Sequence, residues 1–213
     1  MKGVKFGGLH SYYEWGLILS SKDIKAPKPK TKEIEIEGSD GVLDYTEYFG
    51  GVKYENRQLL FTFSKMNIVP DGFLALFSVV QNALHGKKLQ IILDDDPTHY
   101  YLGRVTVNEW KSNKRIGEIV IEVDAEPYKY KVAETMVTQD VTGAAEIVLS
   151  NSKKPVVPEI TTTAAMTIAF DGFTAAVQAG TFRLPELQLK EGQNRVTVTG
   201  TGTISFVYRE ASL

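Results

Sequence analysis

Six side chains in this chain of 213 residues invite a metal-ligand or acid–base reading by their type and spacing: His10, His85 and His99, and the run Asp94-Asp95-Asp96. Neutral imidazoles bind zinc, and three of them converging in a fold would leave open the coordination position a catalytic metal needs. These three stand in unrelated contexts, which is the pattern of ordinary surface or helix-end histidines. Consecutive residues of a strand point to opposite faces, so Asp94 and Asp96 can share one while Asp95 cannot. Pro97 follows, and the backbone before a proline is extended or turning. The run therefore reads as an acidic strand-to-loop corner, with a Ca²⁺ or Mg²⁺ site as the sharper alternative. There is no phosphate-binding loop, no H-E-x-x-H and no G-x-S-x-G. The lone Gly200-x-Gly202 lacks the strand–turn–helix setting of a dinucleotide site. A glycosidase needs two carboxylates flanking a sugar cleft, and nothing nominates such a pair. The expectation is a protein that is not an enzyme and uses no cofactor or metal.

Two patterned charge features are more informative. Glu33, Glu35 and Glu37 alternate with Ile34 and Ile36, which puts three carboxylates on one face of a short strand. Such a face either protects an edge strand against aggregation or forms a subunit interface or channel lining in a ring. Just upstream, Lys25, Lys28, Lys30 and Lys32 interleave with Pro27 and Pro29, giving an extended, semi-rigid segment. It reads as a solvated linker, or as an arm reaching a neighbouring subunit that carries the acidic face.

The elements that position these residues follow from periodicity. Leu59, Phe61 and Phe63 alternate with polar or less bulky neighbours, as in a strand with one buried face. Val105 and Val107, then Ile119, Ile121 and Val123, predict a hairpin about the polar turn Lys111-Ser112-Asn113-Lys114. Ser39-Asp40-Gly41 predicts another turn. Phe73, Leu76, Phe77, Val80 and Leu84 have helical spacing, with Asp71 placed to cap the start and Gly86 to end it. Further on, Met166, Ile168 and Phe170 lead into an Asp171-Gly172 hairpin. Val196 and Val198, then Ile204, Phe206 and Tyr208, read as two later strands separated by Gly200-Thr201-Gly202.

Composition divides the chain. Up to Glu134 there are 37 charged residues, 17 aromatics and 5 threonines; the remainder carries 13, 5 and 13. Two modules are expected, residues 1–134 and 135–213. The fold class expected is mainly β: a β-sandwich-like N-terminal domain with one packed α-helix and an extended hairpin, then a small β-sandwich. With no cysteine, disulfide scaffolds, zinc ribbons and thiol catalysis are excluded. A net charge of −2 does not suit a protein whose main task is gripping nucleic-acid phosphates. Met1 to Gly8 has no apolar run of the signal-peptide kind, and the apolar stretch near Phe73 to Val80 is too short to span a bilayer. A soluble protein made inside the cell is expected.

Several motifs, in order, resemble one family. Phe6-Gly7-Gly8-Leu9-His10-Ser11 followed by Trp15-Gly16-Leu17 resembles the start of distal tail proteins of long, non-contractile-tailed bacteriophages (siphophages). So do Ile34 to Gly41 leading to Leu43-Asp44, the strand Leu59 to Phe63, and Asp96-Pro97 with Tyr100-Tyr101-Leu102-Gly103-Arg104. Asp124-Ala125-Glu126-Pro127-Tyr128-Lys129-Tyr130 is similar to the strand that closes the family's N-terminal domain. The resemblance spans residues 3 to 131; Glu146 to Tyr208, with Leu189-x-x-Gly192-x-Asn194, is similar to the family's galectin-like C-terminal domain. It implies a structural baseplate hub at the virion tail tip, assembled in the host cytoplasm. Its N-terminal domains would build a hexameric ring, single or paired, around the DNA channel. Its partners would be further copies of itself, the tail tube protein, the tail-associated fibre or lysin protein and a receptor-binding protein. No sequence-specific nucleic-acid binding and no membrane insertion are implied. The interface or channel-lining candidates are Glu33, Glu35, Glu37, Lys28, Lys30 and Lys32. Larger members carry a long insertion after the strand that corresponds to Tyr130, and this chain does not. The competing function is a carbohydrate-binding module for host-surface attachment, with Phe182 and Tyr208 as stacking aromatics.

Overall fold

The computed structural model describes residues 2–48, 50–66, 70–112 and 116–213. The chain divides into two compact units, Met1–Pro127 and Tyr128–Leu213. The compositional change near Glu134 thus lies a few residues beyond the unit boundary. The molecule is mainly β, as expected. Among the described residues no helix is long and apolar enough to cross a membrane.

The first unit runs β1 (Val4–Phe6), β2 (Leu9–His10), α1 (Ser11–Trp15), β3 (Ile18–Ile24), β4 (Glu33–Glu35), β5 (Val42–Asp44), β6 (Arg57–Met66), α2 (Pro70–Leu84), β7 (Lys88–Leu93), β8 (Asp96–Ser112) and β9 (Ile116–Lys131). The end of β9 belongs to the second unit. Its strands form one hydrogen-bonded path, β2-β1-β7-β8-β9-β6-β3, with β4 and β5 as a separate two-stranded ribbon. The alternation in β6 does what period two requires. Leu59, Phe61 and Phe63 pair with Val123, Ile121 and Ile119 of β9, and all six are fully buried.

Helix α2 lies on this apolar face through Phe73, Val80 and Leu84, all buried, with Leu76 and Phe77 packed at the margin. Burial of such side chains is worth about 1.5–3 kcal/mol apiece, which holds a helix that would be marginal alone. Gly117 of β9 is what lets the helix approach, because a Cβ there would lie 2.3 Å from the Phe73 ring. The helix begins at Pro70, so Asp71 sits inside its first turn and not at the capping position expected of it. Proline suits that first position because its missing N–H would be unpaired there anyway. The helix ends at Leu84, ahead of Gly86. The centre of the turn expected between β8 and β9, at Asn113 and Lys114, lies outside the described residues; β8 and β9 are neighbours in the sheet.

The second unit contains β10 (Thr135–Asn151), β11 (Glu159–Thr162), β12 (Met166–Phe170), β13 (Phe173–Val177), β14 (Gly180–Phe182), β15 (Gly192–Tyr208) and β16 (Ala211–Ser212). The hairpin at Asp171-Gly172 forms as expected. Both residues have positive φ, 48° and 82°, and Phe170 pairs with Phe173. The turn expected at Gly200-Thr201-Gly202 does not exist: β15 runs unbroken through it. Those glycines occupy inward positions in register with Val198 and Ile204. A Cβ at Gly200 would lie 2.9 Å from Met166 Cγ, and one at Gly202 would lie 2.8 Å from Thr163 Oγ1. The glycines mark close packing and not a change of direction. Along its length β15 pairs with β10 on one side; on the other it pairs first with β12 and then with β11. The core beneath holds Ile147, Leu149, Ile160, Ile168, Val196, Val198, Ile204 and Phe206. Asn194, from the Leu189-x-x-Gly192-x-Asn194 motif, is buried and ties its turn. It accepts from the Lys190 N–H and donates to the carbonyls of Leu149, Lys190 and Gly192.

Candidate assembly interface

The chemically suggestive histidines and aspartates are each used by the fold: His10 and His99 meet Asp94 and Asp96 of the acidic run, and His85 is held elsewhere, against Val107. His10 precedes α1, and its Nδ1 accepts from the backbone N–H groups of Tyr12 and Tyr13 at 3.1 and 3.4 Å. That fixes the tautomer, so Nε2–H faces Asp94 Oδ2 at 3.1 Å. His85 Nδ1 accepts from the Val107 N–H, and His99 pairs with Asp96 at 2.9 Å. At the β7–β8 corner the three aspartates diverge. Asp94 accepts from the Gly3 N–H at 2.7 Å, Asp95 binds Lys2 and Lys22, and Asp96 accepts from Thr98 at 3.0 Å. Hydrogen bonds from Lys2 and Lys22 hold the Asp95 carboxyl below the usual carboxylate range. Among the described residues no cluster of three such groups is placed to hold a metal ion.

The charged segment near Lys28 to Asp44 is arranged differently. Strand β4 contains only Glu33 to Glu35, so Glu33 and Glu35 share its face while Glu37 falls in the following turn. The three-carboxylate face expected from alternation is thus shortened, because the chain turns at Glu37-Gly38 before a fourth extended residue. Glu33 pairs with Asp44 and Ile34 with Leu43. One face of the ribbon carries Glu33, Glu35 and Asp44 together with Val42; the other carries Ile34 and Leu43, which are 46% and 43% exposed. The Asp44 carboxyl is held low by the Thr46 hydroxyl and then by the Thr46 N–H at 2.8 Å. Glu33 and Glu35 have no ion pair among the described residues.

At the base of the ribbon the lysine-rich segment turns back on the chain. Lys30 N–H donates to the Lys53 carbonyl, Glu55 N–H to the Lys28 carbonyl, and Tyr45 N–H to the Lys32 carbonyl. These bonds enclose a cleft of about 320 Å³ lined by Lys30, Thr31, Lys32, Tyr45, Thr46, Gly51 and Lys53. Lys28 lies outside it. Lys53 had no signal in the sequence; the Pro29–Tyr54 bridge and the backbone bond from Lys30 to Lys53 bring it to the cleft.

The second unit holds a smaller cleft of about 230 Å³, whose charged groups are paired as Glu134–Arg209 and Glu159–Arg183, at 3.0 and 3.4 Å. Tyr208 is buried, its hydroxyl donating to the Ser150 carbonyl, and burial followed by the Glu210 charge pushes its pKa up to about 12. Phe182 packs half-buried against the core. Of the aromatics suggested for sugar stacking, Tyr208 belongs to the interior and Phe182 is partly covered.

No protein-family model matches the chain, and no curated protein does. Comparison with solved structures gives a match across almost the whole chain, with a TM-score of 0.68 at 14% sequence identity, covering 98% of this chain and 99% of the other. The fold is that of SPP1 Dit (gp 19.1). SPP1 Dit is described as a paradigm of the hub adsorption apparatus in phages infecting Gram-positive hosts. The fold resemblance read from scattered short motifs is thus present in three dimensions over both units.

Proposed function

We propose that this chain is a structural phage tail-tip protein, a baseplate hub that assembles into a hexameric ring. The ring links the tail tube to the tail-tip and host-adhesion proteins and surrounds the DNA channel. The observation that carries this reading is the fold shared with SPP1 Dit across 98% of the chain. Three further features support it. Among the described residues strand β3 ends the sheet path with only β6 beside it, and a second copy can pair with such an edge. The β4–β5 ribbon stands apart from both sheets, and an isolated two-stranded ribbon is marginal without a partner. The histidines and aspartates that carry catalytic chemistry are held by neighbouring groups as structural elements. In this role the protein acts without catalysis or cofactor, at the virion tail tip, after assembly in the bacterial host. Residues 1–134 build the ring, and residues 135–213 form the small second domain.

Negative-stain imaging of the purified protein, alone and with its tail tube partner, is expected to show six-fold rings, single or stacked in pairs. A protein that stays monomeric at high concentration and with that partner would end the reading.

A further inference from the structure

Two strands of the first unit each leave one hydrogen-bonding side of the backbone unused. In β3 the register with β6 runs to Ile24–Leu59, and one step beyond it the Lys25 N–H donates to the Gln58 carbonyl. Antiparallel pairs alternate between residues whose backbone groups face the partner and residues whose groups are averted. Asp23 and Ser21 therefore face β6 as Lys25 does, whereas Lys22 and Ile24 turn their N–H and C=O groups to the outer side. In the ribbon the Tyr45 N–H donates to the Lys32 carbonyl, one step before the Glu33–Asp44 pair. By the same alternation Lys32 and Ile34 face β5, and Glu33 and Glu35 have averted backbone groups. Among the described residues no strand pairs with either averted side, and β3 and β4 of one chain are not neighbours.

We infer that β3 of one copy pairs antiparallel with β4 of a second copy, with Lys22 facing Glu33. Registers two residues apart all bring averted groups together, and charge separates them, because unlike charges directly opposite each other are favourable and like charges are not. With Lys22 opposite Glu33, Asp23 falls opposite Lys32, and both positions join unlike charges. A shift of two residues one way keeps Lys22 on a carboxylate, Glu35, but sets Asp23 against Ile34. The opposite shift keeps Asp23 on Lys30 but parts Lys22 from both glutamates. Lys25 meets a lysine in each case and does not discriminate. The local charge balance agrees. Lys2 and Lys22 share the single carboxylate of Asp95, which leaves one positive charge over, whereas Glu33 lies across from Asp44. Backbone groups make the contact and the charges set its register, so no side chain has to give up a partner. The surface offered differs from the surface received, and such a head-to-tail contact closes into a ring when its rotation permits. The inference rests on the ring reading, and it places Glu33 at the subunit interface instead of the channel wall.

The absence of native cysteine allows a test that does not depend on ring closure. Asp23→Cys and Lys32→Cys are made in separate chains, mixed and oxidised. Directly opposite Cβ atoms of such a ladder lie about 4.5–5.5 Å apart, so a mixed disulfide dimer is expected, severalfold more abundant than either homodimer. Asp23→Cys mixed with Glu33→Cys, one residue out of step and on the other face, should stay at the homodimer level. A backbone substitution supplies the second arm. Ile24→Pro deletes an averted N–H and leaves the bonds to β6 in place, as proline does on an edge strand. Ile24→Ala loses the same packing and keeps the N–H. In the Asp23→Cys chain, Ile24→Pro should cut the mixed dimer severalfold relative to Ile24→Ala, with urea unfolding of the two variants alike. No mixed dimer above the homodimer level, equal cross-linking through Glu33→Cys, or Ile24→Pro chains that pair as Ile24→Ala chains do, overturns the inference. Rings with no mixed dimer reject this contact and leave the ring reading standing. A mixed dimer from a protein that forms no rings supports the contact and rejects the ring.

Discussion

Glu210 is almost completely enclosed, and its carboxylate accepts from Lys131 Nζ at 2.5 Å and from the hydroxyls of Thr135 and Ser152, each at 2.8 Å. Burial alone would raise its pKa; the three donors together outweigh that and hold it below the ordinary value of 4.5. A carboxyl whose folded pKa is depressed contributes stability that is complete above its unfolded-chain pKa and is lost as the pH falls through the folded one. Glu210→Gln should therefore cost about 1–3 kcal/mol at neutral pH, and the difference from the parent should shrink below the ordinary carboxylate range. Urea unfolding of both proteins across a pH series checks this, and a deficit that stays constant into acid would remove the charge from the explanation. Such commitments were not visible in the sequence. Asp94, Asp95 and Asp96 read there as one acidic corner, and so they are, but Gly3 and His10, which meet Asp94, and Lys2 and Lys22, which meet Asp95, come from distant parts of the chain. Periodicity reports which side of a strand a residue takes. It does not report what the fold brings to meet it.

Between elements, the contact of α2 with the sheet turns on one missing methyl group. A Cβ at Gly117 would overlap the Phe73 ring at 2.3 to 2.6 Å, so the ring or the helix that carries it would have to shift. Gly117→Ala should destabilise by about 1–3 kcal/mol through overpacking. Phe73→Leu in the same chain should recover part of that loss, so the two changes should be non-additive in a double-mutant cycle. Equal and additive losses would mean that the ring and the glycine are not in contact. Helical spacing identified Phe73 and the other buried positions of α2, because its apolar face has a period that no strand shares. The glycines resisted the same treatment. Gly200 and Gly202 read as a turn because glycine is the usual turn residue, yet both sit in unbroken β15 where Met166 and Thr163 crowd the backbone. A glycine that provides room and a glycine that provides a turn look alike until the neighbour is known. The acidic strand shows the converse. Alternation located Glu33 and Glu35 correctly on one face, but its length depended on where the chain turned.

For the whole molecule, the two hydrophobic cores bear on which part assembles. The first core runs from Val4 to Ala125 and the second from Val141 to Tyr208, so neither borrows a buried residue across the unit boundary. A unit with its own closed core can fold alone. The elements suited to assembly, the β3 edge, the β4–β5 ribbon and the lysine cleft, all lie in the first unit. The exposed face of β10 and β15 in the second carries mostly threonine, serine and short side chains, with Met136 and Val148 as its exposed apolar residues and Glu146–Arg195 paired. Residues 1–131 produced separately should therefore form the same rings as the full chain, whereas residues 128–213 should fold and stay monomeric. Circular dichroism establishes that each fragment is folded, and light scattering with imaging reads its assembly state. The cut after Lys131 removes the pairing of β16 with Lys129 and Tyr130, so loss of order at that end of the first fragment is expected and leaves the β3 edge and the ribbon intact. A folded first fragment that remains monomeric while the full chain forms rings would move ring building to the second unit.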